Sequence, residues 1–136
     1  GALWKKAPLY KEIKHVIKEK QTGEKYNITI NKAKIALVFL SKINSDTYTR
    51  RCFEIPATKT LMLSEYSEDL NSMFEENKEA VYFKTKKDLI IKCKHLLDNP
   101  SKIKAIGNAG YERLLKDNHS AESRAKEILK IYSEKK

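Results

Sequence analysis

The sequence predicts an α/β domain: a parallel sheet flanked by helices, with a helical extension at its C-terminus. Three observations predict it. Short runs at 35–40, 61–63 and 80–83 are apolar at consecutive positions, as strands buried on both faces are. Segments of helical period stand around and between them, the pattern that builds parallel sheets. After the last apolar run, helical segments follow one another with no further strand. The chain has 136 residues, a length that fits one domain, so 1–136 is read as a single unit.

In chain order, Leu9, Ile13, Val16 and Ile17 recur at helical spacing behind Pro8, which suits a first turn. That helix is expected to end near Gln21, Thr22 and Gly23. A short helix over 24–32 precedes the first strand, 35–40. Residues 41–50 are polar and carry the turn formers Asn44, Ser45 and Asp46, so they read as a loop at the carboxyl end of that strand. A short helix over 53–58 leads to the strand at 61–63. Leu70, Met73 and Phe74 give one face to a helix over 68–74, before the strand at 80–83.

Leu89, Ile90, Cys93, Leu96 and Leu97 then share a helix face that stops at Asn99-Pro100. Ser101 is the expected N-cap of the next helix, which carries Ile103, Ile106, Ala109 and Leu114. Ala121, Ala125, Ile128, Leu129 and Tyr132 mark the last. Such a succession suggests a chain that leaves the sheet and wraps back across the molecule. Gly107 and Gly110 fall inside a helical pattern and not after a strand, so they point to close helix packing and not to a phosphate loop.

Charge is uneven along the chain. The total is 28 Lys and Arg against 18 Asp and Glu, a net of +10. Residues 1–60 hold 13 basic and 5 acidic side chains, and residues 61–136 hold 15 and 13. A basic first half can meet phosphates, nucleic acid or an anionic membrane, and a solvated lysine surface is the plainer alternative. No apolar run approaches the roughly 18 residues that span a bilayer. Lys5, Lys6 and Pro8 interrupt the N-terminus before a signal-peptide core can form. The expected location is cytoplasmic, with room for peripheral membrane attachment. Cys52 and Cys93 lack metal-site spacing, and His15, His95 and His119 are far apart with no ligand pattern. They read as separate thiols and helix residues, and no metal or other cofactor is expected.

Ligands of open α/β sheets bind beyond the carboxyl ends of the strands, which directs attention to the loop at 41–51. Thr49, Arg50 and Arg51 stand just ahead of the short helix expected at 53–58. A helix N-terminus offers unpaired N–H groups to phosphate, and Arg can grip a diphosphate through two hydrogen bonds. Glu54 lies one turn in. It has two readings: an acceptor for sugar hydroxyls, or a helix-dipole partner or ion pair for Arg50 or Arg51.

The run Arg51-Cys-Phe-Glu-Ile-Pro-Ala57, followed by an apolar strand, resembles the signature R-x-F-E-x-P-A of group 1 glycosyltransferases of the spore-maturation type. The similarity extends in order along the chain. It takes in Gly1, Trp4 and Glu24-Lys-Tyr26 at the start, the strand at 34–37, and the helix and strand at 69–83. It continues through the L-L-x-x-P segment ending at Pro100, then Gly107-Asn-Ala-Gly110, then His119-Ser with Arg124.

The resemblance implies a GT-B architecture, two Rossmann-like domains facing across a cleft. This chain would be the C-terminal, donor-binding half, and the N-terminal acceptor domain is absent from it. The expected partners are a nucleotide-sugar and that N-terminal domain, with an anionic membrane or a phosphorylated acceptor as a further partner of the basic half. The family's signature Glu contacts donor hydroxyls and maps to Glu54. Arg51 and the loop before it, with Asn44, Thr49 and Arg50, would approach the phosphates or the sugar. One departure is local: Lys59 stands where the family usually has a Gly that lets the backbone turn tightly. It either loosens the local fit or offers the donor an extra cation.

Two readings from other classes compete. A basic α/β nucleic-acid-binding module would use the first-half charge on phosphates, but the aromatic residues form no stacking pattern and no helix-turn-helix or RNA-recognition signature is present. A non-catalytic receiver-like interaction domain would need an acidic strand end, where this chain has Ser41-Lys42.

Overall fold

A computed structural model describes residues 4–135; Gly1 lies outside them. After a single 3₁₀ turn at Trp4–Lys6, the elements run α1 (Tyr10–Ile13), α2 (Gly23–Asn31), β1 (Ile35–Val38), α3 (Arg51–Ala57), β2 (Leu61–Glu65) and α4 (Glu68–Met73). They continue with β3 (Val81–Phe83), α5 (Lys86–Leu97), α6 (Pro100–Lys116) and α7 (Ala121–Glu134). The three strands form one sheet in the order β1-β2-β3. All are parallel, with Ile35 opposite Leu61 and Leu63 opposite Val81. The α/β architecture expected from the sequence is the one observed, and its long C-terminal helix is there too.

Alternation of side chains along each strand divides the core in two. Ala36, Val38, Met62 and Tyr82 face α3 and α4, where Cys52, Ile55, Leu70 and Phe74 complete the packing. Leu61, Leu63, Val81 and Phe83 face α5 and α6, against Leu96, Ile103 and Ile106. Leu61, Met62 and Leu63 are fully buried, so each adds roughly 1.5–3 kcal/mol relative to exposure.

Gly107 and Gly110 are buried in α6, which crosses the amino ends of β2 and β3. A β-carbon at Gly110 would stand 2.6 Å from the carbonyl oxygen of Glu79, and one at Gly107 would collide with the carbonyl oxygen of Lys59. Close helix packing is therefore what the two glycines permit, as the sequence indicates.

Four expectations need correction. The first helix is a single turn with no buried residue, because Leu9 and Val16 of its apolar stripe stay exposed and short isolated helices are marginal. β1 is not buried on both faces: Leu37 is 45% exposed and Phe39, just past its end, is 60% exposed, because α5 and α6 cover β2 and β3. The N-cap of α6 is Asn99 and Pro100 opens the helix, so Ser101 lies inside it; Pro tolerates that first position because its missing N–H has no partner to lose there. Finally, α6 crosses back under the sheet but α7 buries none of its residues, and Ile128 and Leu129 stay exposed. No helix among the described residues is long and apolar enough to cross a membrane.

Candidate functional site

The loop at 41–50 is built by local hydrogen bonds. The N–H of Asn44 donates to the Ser41 hydroxyl and the N–H of Asp46 to the Ser41 carbonyl, while Ser45 takes a positive φ of 51°. The loop is tied to the sheet by Glu65 at the end of β2. One oxygen of Glu65 accepts the Leu40 N–H at 3.1 Å and the other pairs with Lys42 at 3.0 Å. The Lys42 hydrogen bond is the main reason that the Glu65 carboxyl is held below its ordinary range.

Beyond the end of β1 the chain encloses an open cleft of about 1050 Å³. One wall is the 41–51 loop and the first turn of α3, with Thr49, Arg50, Arg51 and Glu54. The other is the turn at Lys20–Gly23 with Tyr26 of α2, and Phe39 and Leu40 form part of the floor. Gly23 has a φ of +57°, and a β-carbon there would meet nothing within 4 Å.

The sequence-predicted residues separate into two groups. Thr49, Arg50, Arg51 and Glu54 line this cleft together. Asn44 and Lys59 do not line it. Asn44 is exposed on the far part of the loop. Lys59 follows the C-terminal end of α3, opposite the Arg51 end, and its ammonium lies 4.6 Å from the centre of the Tyr111 ring. Its φ of 59° places it in the left-handed region, where glycine costs least. The positional departure from the signature is thus a real local strain, and the extra cation points away from the cleft.

The start of α3 differs from the sequence reading in its hydrogen bonds. The helix begins at Arg51, with Arg50 at the N-cap in helical conformation and no side-chain cap. The N–H groups of Cys52, Phe53 and Glu54 already donate to the carbonyls of Thr49 and Arg50. A tight first turn satisfies these donors locally, so the side chains and not the backbone carry this wall's capacity for anions.

Glu54 is held from two directions. Its Oε1 pairs with Arg50 Nε at 2.7 Å, and its Oε2 accepts from the Tyr26 hydroxyl at 3.3 Å. Burial, with the Glu54 charge as a second cause, raises the Tyr26 phenol above its ordinary value, so Tyr26 remains a donor at neutral pH. Behind this wall Cys52 is buried, which pushes its thiol up. The Phe53 ring packs at a tilt of 49° against that of His119, with centroids 5.0 Å apart, and Arg124 Nη2 approaches His119 Nδ1 at 2.9 Å. Of the family-like ending, His119 therefore packs against α3, Arg124 contacts His119, and Ser120 caps α7. His15 and His95 are exposed.

Sequence reasoning missed the cleft's second wall. The 20–23 turn reads only as a helix end, and Tyr26 only as part of an opening motif. The single signal present was Gly23, a residue suited to positive φ between two helical segments.

A family model described as "Glycosyl transferase-like" matches residues 1–130. No curated protein and no solved structure gives a significant match.

Proposed function

Because the chain belongs to the glycosyl transferase-like family, we propose that it is the donor-binding domain of a transferase that moves a sugar from a nucleotide-sugar to an acceptor. The observation that carries this reading is the cleft beyond β1, where two guanidinium groups and one oriented carboxylate stand around one volume. Arg51, which is exposed, meets the diphosphate with its guanidinium. Glu54 accepts hydroxyls of the sugar or ribose. Thr49 and Arg50 complete the anion-binding side. No metal is required in this reading, because the phosphate charge is offset by Arg side chains.

The finer assignment is the spore-maturation type of the family, with this chain as one half of a GT-B pair. A second Rossmann-like domain then closes the cleft and brings the acceptor, and this chain alone transfers no sugar. The exposed lysines of the N-terminal segment, among them Lys5, Lys6, Lys11, Lys14 and Lys18, fit an anionic membrane or a phosphorylated acceptor.

The test is titration of UDP, GDP and dTDP, their sugar conjugates and the free nucleosides against the chain, Arg51→Ala and Glu54→Ala, with thermal melts. Arg51→Ala weakens diphosphates far more than nucleosides. Glu54→Ala costs about 1.5–3 kcal/mol, the worth of a hydrogen bond to a charged group, and Glu54→Gln costs less. Unchanged affinity in both alanine variants overturns the assignment. A large fall in melting temperature for Glu54→Ala assigns the Arg50 pair a structural role instead.

A further inference from the structure

α2 and α3 lie side by side and run in the same direction. Their C-terminal ends are tied twice: Asn31 Nδ2 donates to the Thr58 carbonyl at 2.7 Å, and the Thr60 hydroxyl donates to the Ile30 carbonyl at 2.9 Å. Ile30 also packs against the core beneath α3. At the other end, where both helices open on the cleft, the link is the Tyr26 hydroxyl on Glu54. Each of these residues is fourth in its helix, so one side-chain hydrogen bond joins the two walls one turn below their rims.

The partners of Glu54 are unequal. Arg50 is 88% exposed on its side chain, and an exposed ion pair on one helix is weak and readily exchanged. An anion entering the cleft competes directly for that guanidinium. Tyr26 is neutral and half-buried, on a helix pinned at its far end, so an anion's charge draws it far less than it draws the Arg50 guanidinium. When Arg50 turns to an anion, Oε1 of Glu54 loses its partner while Oε2 keeps its own.

We infer that Tyr26 is a positioning residue: it holds the Glu54 carboxylate aimed into the cleft while Arg50 exchanges from Glu54 to the anionic part of the ligand, which frees Oε1 for a ligand hydroxyl. This rests on the donor-binding reading of the cleft. It adds a residue and an order of events to it. The Arg50–Glu54 pair is a resting contact that the ligand opens, and the Tyr26–Glu54 contact persists in the bound state.

The experiment is a double-mutant cycle on the whole chain with Tyr26→Phe, Glu54→Ala and the double variant. Each is titrated with UDP-glucose, GDP-mannose and dTDP-glucose, and with inorganic pyrophosphate as an anion without hydroxyls. Tyr26→Phe removes one oxygen and keeps the ring. It weakens the nucleotide-sugar that the wild type binds by roughly 3- to 10-fold, the range for one hydrogen bond, and leaves pyrophosphate binding unchanged. In the Glu54→Ala background the same substitution adds nothing, because the group it positions is gone.

Wild-type binding with a silent Tyr26→Phe overturns this inference alone, and so does an equal loss in both backgrounds or an equal loss of pyrophosphate. If the wild type binds none of the nucleotide-sugars, the donor reading falls and this inference falls with it.

Discussion

The phenolic oxygen of Tyr82 stands 2.7 Å from the carbonyl oxygen of Phe74 and 2.9 Å from that of Leu70. Its one proton is shared between two carbonyls at the C-terminal end of α4: that of Leu70, which also accepts the Phe74 N–H, and that of Phe74, beyond the last turn, where a helix leaves its acceptors without intrahelical partners. Tyr82 is buried on β3, so the bond is shielded from water. Burial pushes its phenol well above the ordinary tyrosine value, and it stays a donor throughout the accessible pH range. Tyr82→Phe is expected to cost about 1–3 kcal/mol, because the Phe74 carbonyl loses this donor, while the Leu70 carbonyl keeps the Phe74 N–H. Urea unfolding checks this: the midpoint should fall while the slope stays constant. An unchanged midpoint would show that water replaces the hydroxyl.

Gly110→Ala places a methyl group against the Glu79 backbone, which cannot rotate out of the way as a side chain could. Moving α6 or the start of β3 should cost on the order of 1–3 kcal/mol. Ala is the better helix former by about 1 kcal/mol, so a net loss identifies packing and not propensity as the cause. Stabilisation in a thermal melt would contradict the packing account.

Lys59 gives a test in the opposite direction. Its left-handed φ disfavours any residue with a β-carbon, by about 1–2 kcal/mol. Lys59→Gly relieves that strain and loses the contact with Tyr111, whereas Lys59→Ala loses the contact and keeps the strain. The glycine variant should therefore melt higher than the alanine variant, and neither should change nucleotide-sugar affinity. A lower melting temperature for the glycine variant would refute the strain.

His119 makes stability depend on pH. Burial is the first cause lowering its pKa below the ordinary 6.5, and the Arg124 charge is the second. Arg113 acts in the same direction, Asp117 opposes, and the Phe53 ring packs at a tilt beside the imidazole. The folded state therefore prefers the neutral imidazole, while the unfolded chain takes up a proton near pH 6.5. The stabilisation is complete above that pH and is lost as pH falls from there through the lowered folded value. His119→Gln should flatten this part of the stability curve. An unaltered slope between pH 7 and 5 would remove His119 as its source.

The N-terminal segment joins exposed lysines to exposed Trp4, Leu9 and Val16. If it meets a membrane, vesicles containing phosphatidylserine should bind the protein in a salt-sensitive way, and neutral vesicles much less. Changing Lys11, Lys14 and Lys18 together to Gln should weaken binding by about 1 kcal/mol per lysine. Equal binding to neutral and anionic vesicles would rule this role out.

Much of the architecture was legible in local pattern. The runs at 61–63 and 80–83 could only be buried strands, the helical period marked α5 and α6, and two glycines inside that period announced a close crossing. The signature at 51–57 also put Arg51 just ahead of a short helix and Glu54 within it, beyond the end of a strand; the structure starts that helix two residues earlier, at Arg51. Each of these depends on a residue's near neighbours in sequence, through backbone preference and side-chain spacing.

The arrangement around Glu54 depended on something else. Tyr26 meets Glu54 across 28 positions, and Glu65 reaches Leu40 across 25. Leu37 and Phe39 have strand-like apolarity yet remain exposed, and the last helix keeps its apolar stripe uncovered. Lys59 belongs to the signature segment yet sits at the wrong end of α3. Only the docking of α2 beside α3, and of α5 and α6 over two strands of the three, settles which side chains face each other. That docking is driven by non-directional burial of apolar surface contributed by distant parts of the chain, and no local spacing encodes it.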